Sequence, residues 1–233
     1  MNAIGLRSHA TGSSADRPAE SVRSAAIRLV LAAVLLWAAL AAVGYVLTHA
    51  LKDTAFYRWD GSVNRWFARH RSGTWNTATH YVTFCAETLT VIAIGLVFFV
   101  GMRIVLGRWR ESLFLAVALL GEVTIFVCTT FVVHRHRPAV AHLDSAPPTS
   151  SFPSGHTAAS VALYVGLAVI AWSASNRGWL RALATVVAIV LPVLVALSRL
   201  YRGMHFPTDV MAGALLGLVW LALCTRVLLV QRR

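Results

Sequence analysis

The chain has 233 residues, of which 58% are hydrophobic and only 13% are charged. This composition is far more apolar than that of an ordinary water-soluble domain and indicates a membrane protein with several spans. The net charge of +12 does not indicate a nucleic-acid partner, because the basic residues are scattered in short clusters between apolar segments and form no continuous stripe.

Residues 1–25 are rich in Ser, Ala and Arg and lack hydrophobic periodicity, which predicts a disordered tail on the cytoplasmic side. The apolar segment that follows is about 20 residues long, which exceeds the roughly 7 to 15 residues of a signal-peptide core. No clear cleavage site follows it, so we expect it to be retained as a transmembrane helix. The expected organisation is a tail over 1–25, a membrane domain over 26–229 and a cytoplasmic tail over 230–233.

A bilayer core requires about 17 to 25 mostly apolar residues per helix. Six segments meet this requirement and predict an all-α, polytopic bundle of six transmembrane helices. The predicted spans lie at approximately 27–48, 80–102, 112–133, 156–175, 182–199 and 207–226. Positive charge favours the cytoplasmic side of a membrane protein, and the arginines outside the functional motifs then place both termini in the cytoplasm. The motifs described below are accordingly expected on the extracytoplasmic face of the cell membrane.

The loop between the first two predicted spans carries a stripe of apolar residues at helical spacing. Its members are Phe56, Trp59, Val63, Trp66 and Phe67. The stripe predicts a short amphipathic helix in the first outer loop. Two interpretations are equally compatible with it: an interfacial helix that lies on the lipid surface, or a lid that packs on the bundle.

Three short segments in the second half of the chain contain residues suited to phosphate chemistry, and each lies at the end of a predicted span. They are Arg137-Pro138, Pro153-Ser154-Gly155-His156, and Ser198-Arg199 through His205 to Asp209. A phosphate ester resists attack because its oxygens are negative, so a catalyst must first neutralise them. The guanidinium groups of Arg137 and Arg199 suit this role, since each can donate two hydrogen bonds to a phosphate at once.

The segment Ser154-Gly155-His156 opens the fourth predicted span. The unpaired N–H groups and the positive dipole end of a helix start favour a bound anion. Gly155 lets the backbone approach a phosphate closely, and Ser154 can cap the helix while its hydroxyl faces a phosphate oxygen. Taken alone, Pro-Ser-Gly is more typical of an ordinary turn and helix cap.

The two motif histidines favour a catalytic interpretation. His205 and Asp209 are four residues apart, and Pro207 favours a helix start between them. The carboxylate could then hold one ring nitrogen and leave the other nucleophilic. His156, at a different helix end, is positioned to act as the general acid for the departing alkoxide.

The ordered array RP, PSGH and SRxxxxxHxxxD resembles the type 2 phosphatidic acid phosphatase superfamily, with the motifs falling between Thr130 and Asp209. The resemblance implies that His205 forms a phosphohistidine assisted by Asp209 and that His156 protonates the leaving group. It also implies that no metal or other cofactor is needed. The phosphate-binding residues that it implies are Arg137, Ser154, Gly155 and Arg199. Because the membrane-spanning members resemble lipid phosphatases, the apolar composition favours that branch.

The chain departs from the family pattern at one position. The first motif of the family begins with a lysine seven residues before the arginine of RP, and Thr130 stands there in this chain. Arg135 lies two residues before Arg137 and could supply the missing charge in the phosphate site. The alternatives are weakened catalysis or a substrate that needs fewer phosphate contacts.

Other polar residues have weaker functional signals. His134, His136 and His142 lie close together before PSGH, but their spacing and the lack of acidic residues other than Asp144 make a metal site a weak hypothesis. We favour a role in shaping access for a headgroup. Glu122 lies inside the third predicted span and is expected to face the bundle interior, either at the site or against another helix.

The sequence therefore predicts an integral membrane phosphatase that acts on a lipid phosphate or diphosphate. The expected partners are the bilayer and a phosphorylated lipid of the polyprenyl, phosphatidylglycerophosphate or phosphatidate type. The alternative is a catalytically weakened protein that binds or transports lipid phosphates, motivated by Thr130. The motifs recognise the phosphate and leave the lipid and the oligomeric state open.

Overall fold

The computed structural model describes residues 16–107, 109–146 and 148–230, and in these ranges every regular element is helical. The helices are α1 (Asp16–Tyr45), α2 (Ala55–Arg69), α3 (Gly73–Phe84), α4 (Thr88–Leu106), α5 (Arg110–Val132), α6 (Gly155–Ser160), α7 (Gly166–Ala174), α8 (Gly178–Tyr201) and α9 (Pro207–Cys224). Short π-helical segments extend α1 over Val46–Ala50, join α6 to α7 over Val161–Val165, and extend α9 over Thr225–Val230.

Six helical segments are long and apolar enough to cross a membrane, which confirms the predicted six-helix architecture. They are Val22–Ala50, Thr88–Leu106, Arg110–Val132, Gly155–Ala174, Gly178–Tyr201 and Pro207–Val230. The second span begins at Thr88, later than the predicted position near 80. The reason is that residues 73–84 form the separate helix α3, and a short turn divides it from α4.

The first helix begins at Asp16, inside the segment for which the sequence predicted a disordered tail. Residues 16–25 contain two alanines, two arginines and one glutamate, which are good helix formers. Pro18 falls in the first turn, where a missing N–H costs no helical hydrogen bond. The rest of the predicted tail, residues 1–15, lies outside the described residues, as do residues 231–233 at the other end.

The centre of the bundle lies between α5, α6 and α9. Ala118 on α5 and Leu216 on α9 are completely buried. The indole N–H of Trp220 donates to the carbonyl of Ala118 at 3.1 Å and ties α9 to α5. Gly213 allows α9 to touch the start of α6, because a Cβ at this position would lie only 2.4 Å from the carbonyl oxygen of Ser154. Such close helix contacts at small residues are typical of membrane proteins.

Helix α2 packs against the ends of α8 and α9 with its polar face inward. Asp60 and Asn64 on this face are completely buried, whereas Phe56, Trp59 and Trp66 are about half exposed on the opposite face. The helix therefore combines the two interpretations that the sequence left open. It packs on the bundle, and it also presents an aromatic surface of the kind that suits a membrane interface.

Candidate active site

A cavity of about 790 Å³ enters the bundle near the start of α6. Its polar end is lined by Arg137, Asp144, His156, Arg199, Arg202 and His205. Its apolar end lies between α4 and α5, with walls that include Val91, Leu119, Val123 and Phe126. The three motif segments therefore meet at one cavity, which has a charged end and an apolar end.

His205 lies in the turn between α8 and α9 and is almost fully buried. Its Nδ1 atom is 2.7 Å from the carbonyl oxygen of Ser151. Because a carbonyl oxygen can only accept, Nδ1 must carry the proton and Nε2 must keep its lone pair. The side-chain amide of Asn64 donates to the carbonyl of His205 at 2.9 Å and fixes the backbone of this turn. Burial, followed by the charges of Arg199 and Arg137, lowers the pKa of His205 well below its ordinary value, so the ring is neutral.

Asp209 has a different position from the one expected. Its Oδ2 atom lies 3.9 Å from Nδ1 of His205, too far for a hydrogen bond. This oxygen instead accepts the backbone N–H of Phe206 at 2.8 Å and stabilises the start of α9. The carbonyl of Ser151 therefore sets the orientation of the ring, and Asp209 places a formal negative charge beside it. No feature of the sequence identified Ser151 for this role, since its contact is made by the backbone.

Arg135 lies outside the cavity lining, in a buried cluster of charges. Its guanidinium forms ion pairs with Asp209 and, at 2.6 Å, with Asp60. Thr208 accepts from Arg135 at 2.7 Å and donates to Asp60 at 2.6 Å. Arg135 thus supports the start of α9. It does not supply the cavity with the positive charge that is missing at Thr130. The sequence gives only one signal for Asp60, its place as a single acid within an aromatic amphipathic helix.

Arg137 and Arg199 both line the cavity beside the two histidines. Nη1 of Arg137 donates to the carbonyl of Met204 at 2.8 Å, which orients the guanidinium. The Nε atoms of Arg137 and Arg199 are buried and have no hydrogen-bond partner among the described residues. Buried polar groups are normally paired, so each of these guanidinium groups has one hydrogen-bond donor that the described residues leave unsatisfied.

A third arginine and an acid complete the polar end of the cavity. Asp144 accepts from Nη1 of Arg199 at 2.8 Å and from Nη2 of Arg202 at 2.6 Å. Although burial alone would raise its pKa, the hydrogen bonds and charges of Arg202 and Arg199 hold the pKa of Asp144 below its usual value. The sequence patterns predict no functional role for Asp144 or Arg202.

The PSGH segment contributes unequally to the cavity. Gly155 and His156 line it, while Ser154 is completely buried. The Ser154 hydroxyl lies 3.0 Å from the hydroxyl of Thr157 and caps no backbone N–H. A Cβ on Gly155 would lie 2.7 Å from the ring of Phe126, so glycine allows α5 and α6 to pack closely at this point.

Thr130 and Glu122 differ in their relation to the cavity. Thr130 donates its hydroxyl to the carbonyl of Val127 at 2.8 Å and does not line the cavity. Glu122 lines the cavity and is only 2% exposed, with Oε1 unpartnered among the described side chains. In the described ranges, no three His, Cys, Asp or Glu side chains are grouped in a way that could hold a metal ion, and this includes the loop with His134 and His136.

Comparisons with known proteins identify the family of the chain. The sequence model of the PAP2 superfamily matches residues 111–233. The undecaprenyl-diphosphatase of Sulfolobus acidocaldarius is 33% identical over 104 residues, which cover 45% of this chain and 46% of that protein. The bacitracin transport permease protein BcrC of Bacillus licheniformis is 29% identical over 143 residues, covering 59% of this chain and 66% of that protein. The chain thus spans less than two thirds of the length of these relatives.

A solved structure has a similar fold over most of its length. It is described as the first transmembrane PAP2 type phosphatidylglycerolphosphate phosphatase from Bacillus subtilis. The TM-score is 0.69 with 25% sequence identity, and the match covers 82% of this chain and 94% of that chain.

Proposed function

Because the chain belongs to the PAP2 superfamily, we propose that it is an integral membrane phosphatase that hydrolyses a lipid phosphate or diphosphate. One observation carries the proposal: His205, whose Nε2 atom keeps its lone pair, lines the same cavity as His156, Arg137 and Arg199. This grouping supports a nucleophile, an acid and an oxyanion site that act on one phosphate.

In the first step, the lone pair on Nε2 of His205 forms a bond to phosphorus while the bond from phosphorus to the leaving oxygen breaks. His156 gives a proton to that oxygen, so the leaving group departs as a neutral alcohol, or as a lipid monophosphate if the substrate is a diphosphate. Arg137 and Arg199 neutralise the phosphate oxygens, whose negative charge would otherwise repel the nucleophile.

The resulting phosphohistidine carries a positive charge, because Nδ1 keeps its proton. Asp209 lies 3.9 Å from Nδ1, and its negative charge stabilises this imidazolium. In the second step, a water molecule attacks phosphorus and the N–P bond breaks. The water gives one proton to His156, and inorganic phosphate leaves while His205 returns to its neutral form. The residues of the chain supply every group in this scheme, so it requires no metal ion or other cofactor.

The apolar end of the cavity supports a lipid substrate, since it is lined by apolar residues of α4 and α5 beside the polar end. The names of the relatives point to two substrate classes, a polyprenyl diphosphate and phosphatidylglycerophosphate. The distribution of arginines supports an active site on the extracytoplasmic side, with both termini in the cytoplasm.

The test is release of inorganic phosphate by purified protein, measured on a panel of these lipids with a chelator present. We expect turnover by the wild type and its loss in His205→Ala. Retained turnover in the variant would exclude the proposed mechanism. Binding of the lipids without phosphate release by the wild type would favour a second candidate, a lipid-phosphate binding or transport protein. Thr130 in place of the family lysine and the similarity to a protein named as a transport permease favour that candidate.

A further inference from the structure

The carboxylate of Asp144 lies between two arginines at the polar end of the cavity. Its Oδ2 atom accepts from Nη1 of Arg199 and from Nε of Arg202, both at 2.8 Å. Its Oδ1 atom accepts from Nη2 of Arg202 at 2.6 Å. A carboxylate and a phosphate are bound by arginine in the same way, through pairs of charge-assisted hydrogen bonds. Asp144 therefore occupies a position that would also suit two phosphate oxygens.

The Asp144 side chain is the more accessible partner in its ion pair with Arg199. It is 21% exposed, whereas the side chain of Arg199 is only 4% exposed. The neighbouring backbone is held independently, since Leu143 donates its N–H to the carbonyl of Arg202 at 3.1 Å. A rotation of the Asp144 side chain is thus sufficient to expose the two guanidinium groups to the cavity.

Arg202 keeps its place when Asp144 rotates away. Its Nη1 atom donates to the carbonyl of Asn76 at 3.0 Å and to the hydroxyl of Thr79 at 3.2 Å, and its Nη2 atom donates to the carbonyl of Leu143 at 3.0 Å. These contacts do not involve Asp144. The edge of the guanidinium formed by Nε and Nη2 would then face the cavity as a preorganised anion site.

We propose that the phosphate of the substrate displaces the Asp144 carboxylate and binds between Arg199 and Arg202, which makes Arg202 a third phosphate-binding arginine. This inference rests on the proposed phosphatase function and assigns a residue outside the RP, PSGH and SRxxxxxHxxxD pattern. Arg202 supplies the cation that Thr130 does not, while Arg135 remains paired with Asp60 and Asp209.

Asp144 has a corresponding role as an internal competitor. It satisfies Arg199 and Arg202 when the site is empty, and its return assists the departure of inorganic phosphate at the end of the reaction. Removal of its charge should tighten phosphate binding, because the ligand would no longer displace an existing ion pair.

The experiment measures binding of inorganic phosphate by calorimetry to the purified full chain and four variants: Asp144→Asn, Arg202→Gln, the double variant and Asp53→Asn. Asp144→Asn should bind phosphate about tenfold to a hundredfold more tightly, as expected when one charged hydrogen-bonding competitor is lost. When Arg202→Gln is added to Asp144→Asn, the affinity for phosphate should fall by at least about tenfold, as expected for the loss of one charged hydrogen bond. Asp53 is exposed and distant from the cavity lining, so Asp53→Asn should bind as the wild type does.

Two results would overturn the inference. Weaker phosphate binding in Asp144→Asn would mean that Asp144 orients Arg199 for the ligand. An unchanged affinity when Arg202→Gln is added to Asp144→Asn would mean that Arg202 only anchors Asp144. If Asp144→Asn does not fold, as judged by its thermal transition, Asp144→Ser with and without Arg202→Gln provides the same comparison. Phosphate release by the wild type is measured in parallel, so failure of the phosphatase proposal is seen separately from failure of this one.

Discussion

Replacement of Asp209 by Asn tests whether a nearby negative charge stabilises the phosphohistidine. The Oδ2 atom lies 3.9 Å from Nδ1 of His205. Two opposite charges about 4 Å apart interact by about 4 kcal/mol at an effective dielectric constant of about 20. This energy corresponds to about a thousandfold in rate. Arg135 offsets part of the Asp209 charge, so we expect kcat to fall by between about tenfold and a thousandfold. KM should change little, because Asp209 does not line the cavity.

The assay is steady-state release of phosphate from a lipid that the wild type hydrolyses. Asp60→Asn is the matched control, since it removes a charge from the same Arg135 cluster and leaves the Asp209 contact with His205 in place. This control should lower the unfolding temperature, because loss of one partner from a buried ion pair costs about 3 kcal/mol or more, and it should reduce kcat less than Asp209→Asn does. The electrostatic role would be refuted if Asp209→Asn lowered kcat by less than about tenfold, or if both variants lowered kcat by the same factor.

Two further predictions concern stability. Gly213→Ala should lower the unfolding temperature and disrupt the PSGH segment, because the added Cβ would lie 2.4 Å from the Ser154 carbonyl oxygen. Gly178→Ala is the control and should be neutral, since a Cβ there meets nothing within 4 Å. Equal unfolding temperatures for the two variants would contradict the close contact between α6 and α9. Burial lowers the pKa of His205, so the unfolded chain binds a proton at this residue more readily than the folded chain does. The folded state should therefore lose stability as pH falls below about 6.5. Unfolding temperatures measured over a pH series should show a smaller loss in His205→Asn, and an identical loss would argue against a buried neutral ring.

The six spans could be predicted from the sequence because hydropathy is a local property. A helix in lipid satisfies its own backbone hydrogen bonds, so about 20 apolar residues predict a span without knowledge of its neighbours. The convergence of Arg137, His156, Arg199 and His205 was also predictable. Each residue lies at or close to the end of a span, and the order of the spans brings those ends to the same side of the bundle. The cavity that they line confirms that the motif segments meet.

The contacts that support the nucleophile could not be predicted in this way, because they join distant segments. Asn64 reaches the carbonyl of His205 across 141 positions of the chain, and the partner of the ring is a backbone carbonyl at Ser151. A backbone acceptor leaves no signal in residue type. The aromatic stripe on α2 correctly indicated amphipathicity, but an amphipathic helix in a membrane protein can place its polar face inward when that face carries partners for buried groups.

Arg135 shows why proximity in sequence is a weak guide to a shared role. Arg135 and Arg137 are two residues apart, yet Arg137 lines the cavity and Arg135 does not. The difference arises from Asp60 and Asp209, two buried carboxylates that require a nearby cation, because an uncompensated buried charge is strongly destabilising. Once Asp60 is brought in by α2, Arg135 is the residue that offsets both. Arg135 is thus committed to supporting the nucleophile, so the phosphate must be bound by cations that remain in the cavity. Arg202 is the cation that we infer to join Arg137 and Arg199 there.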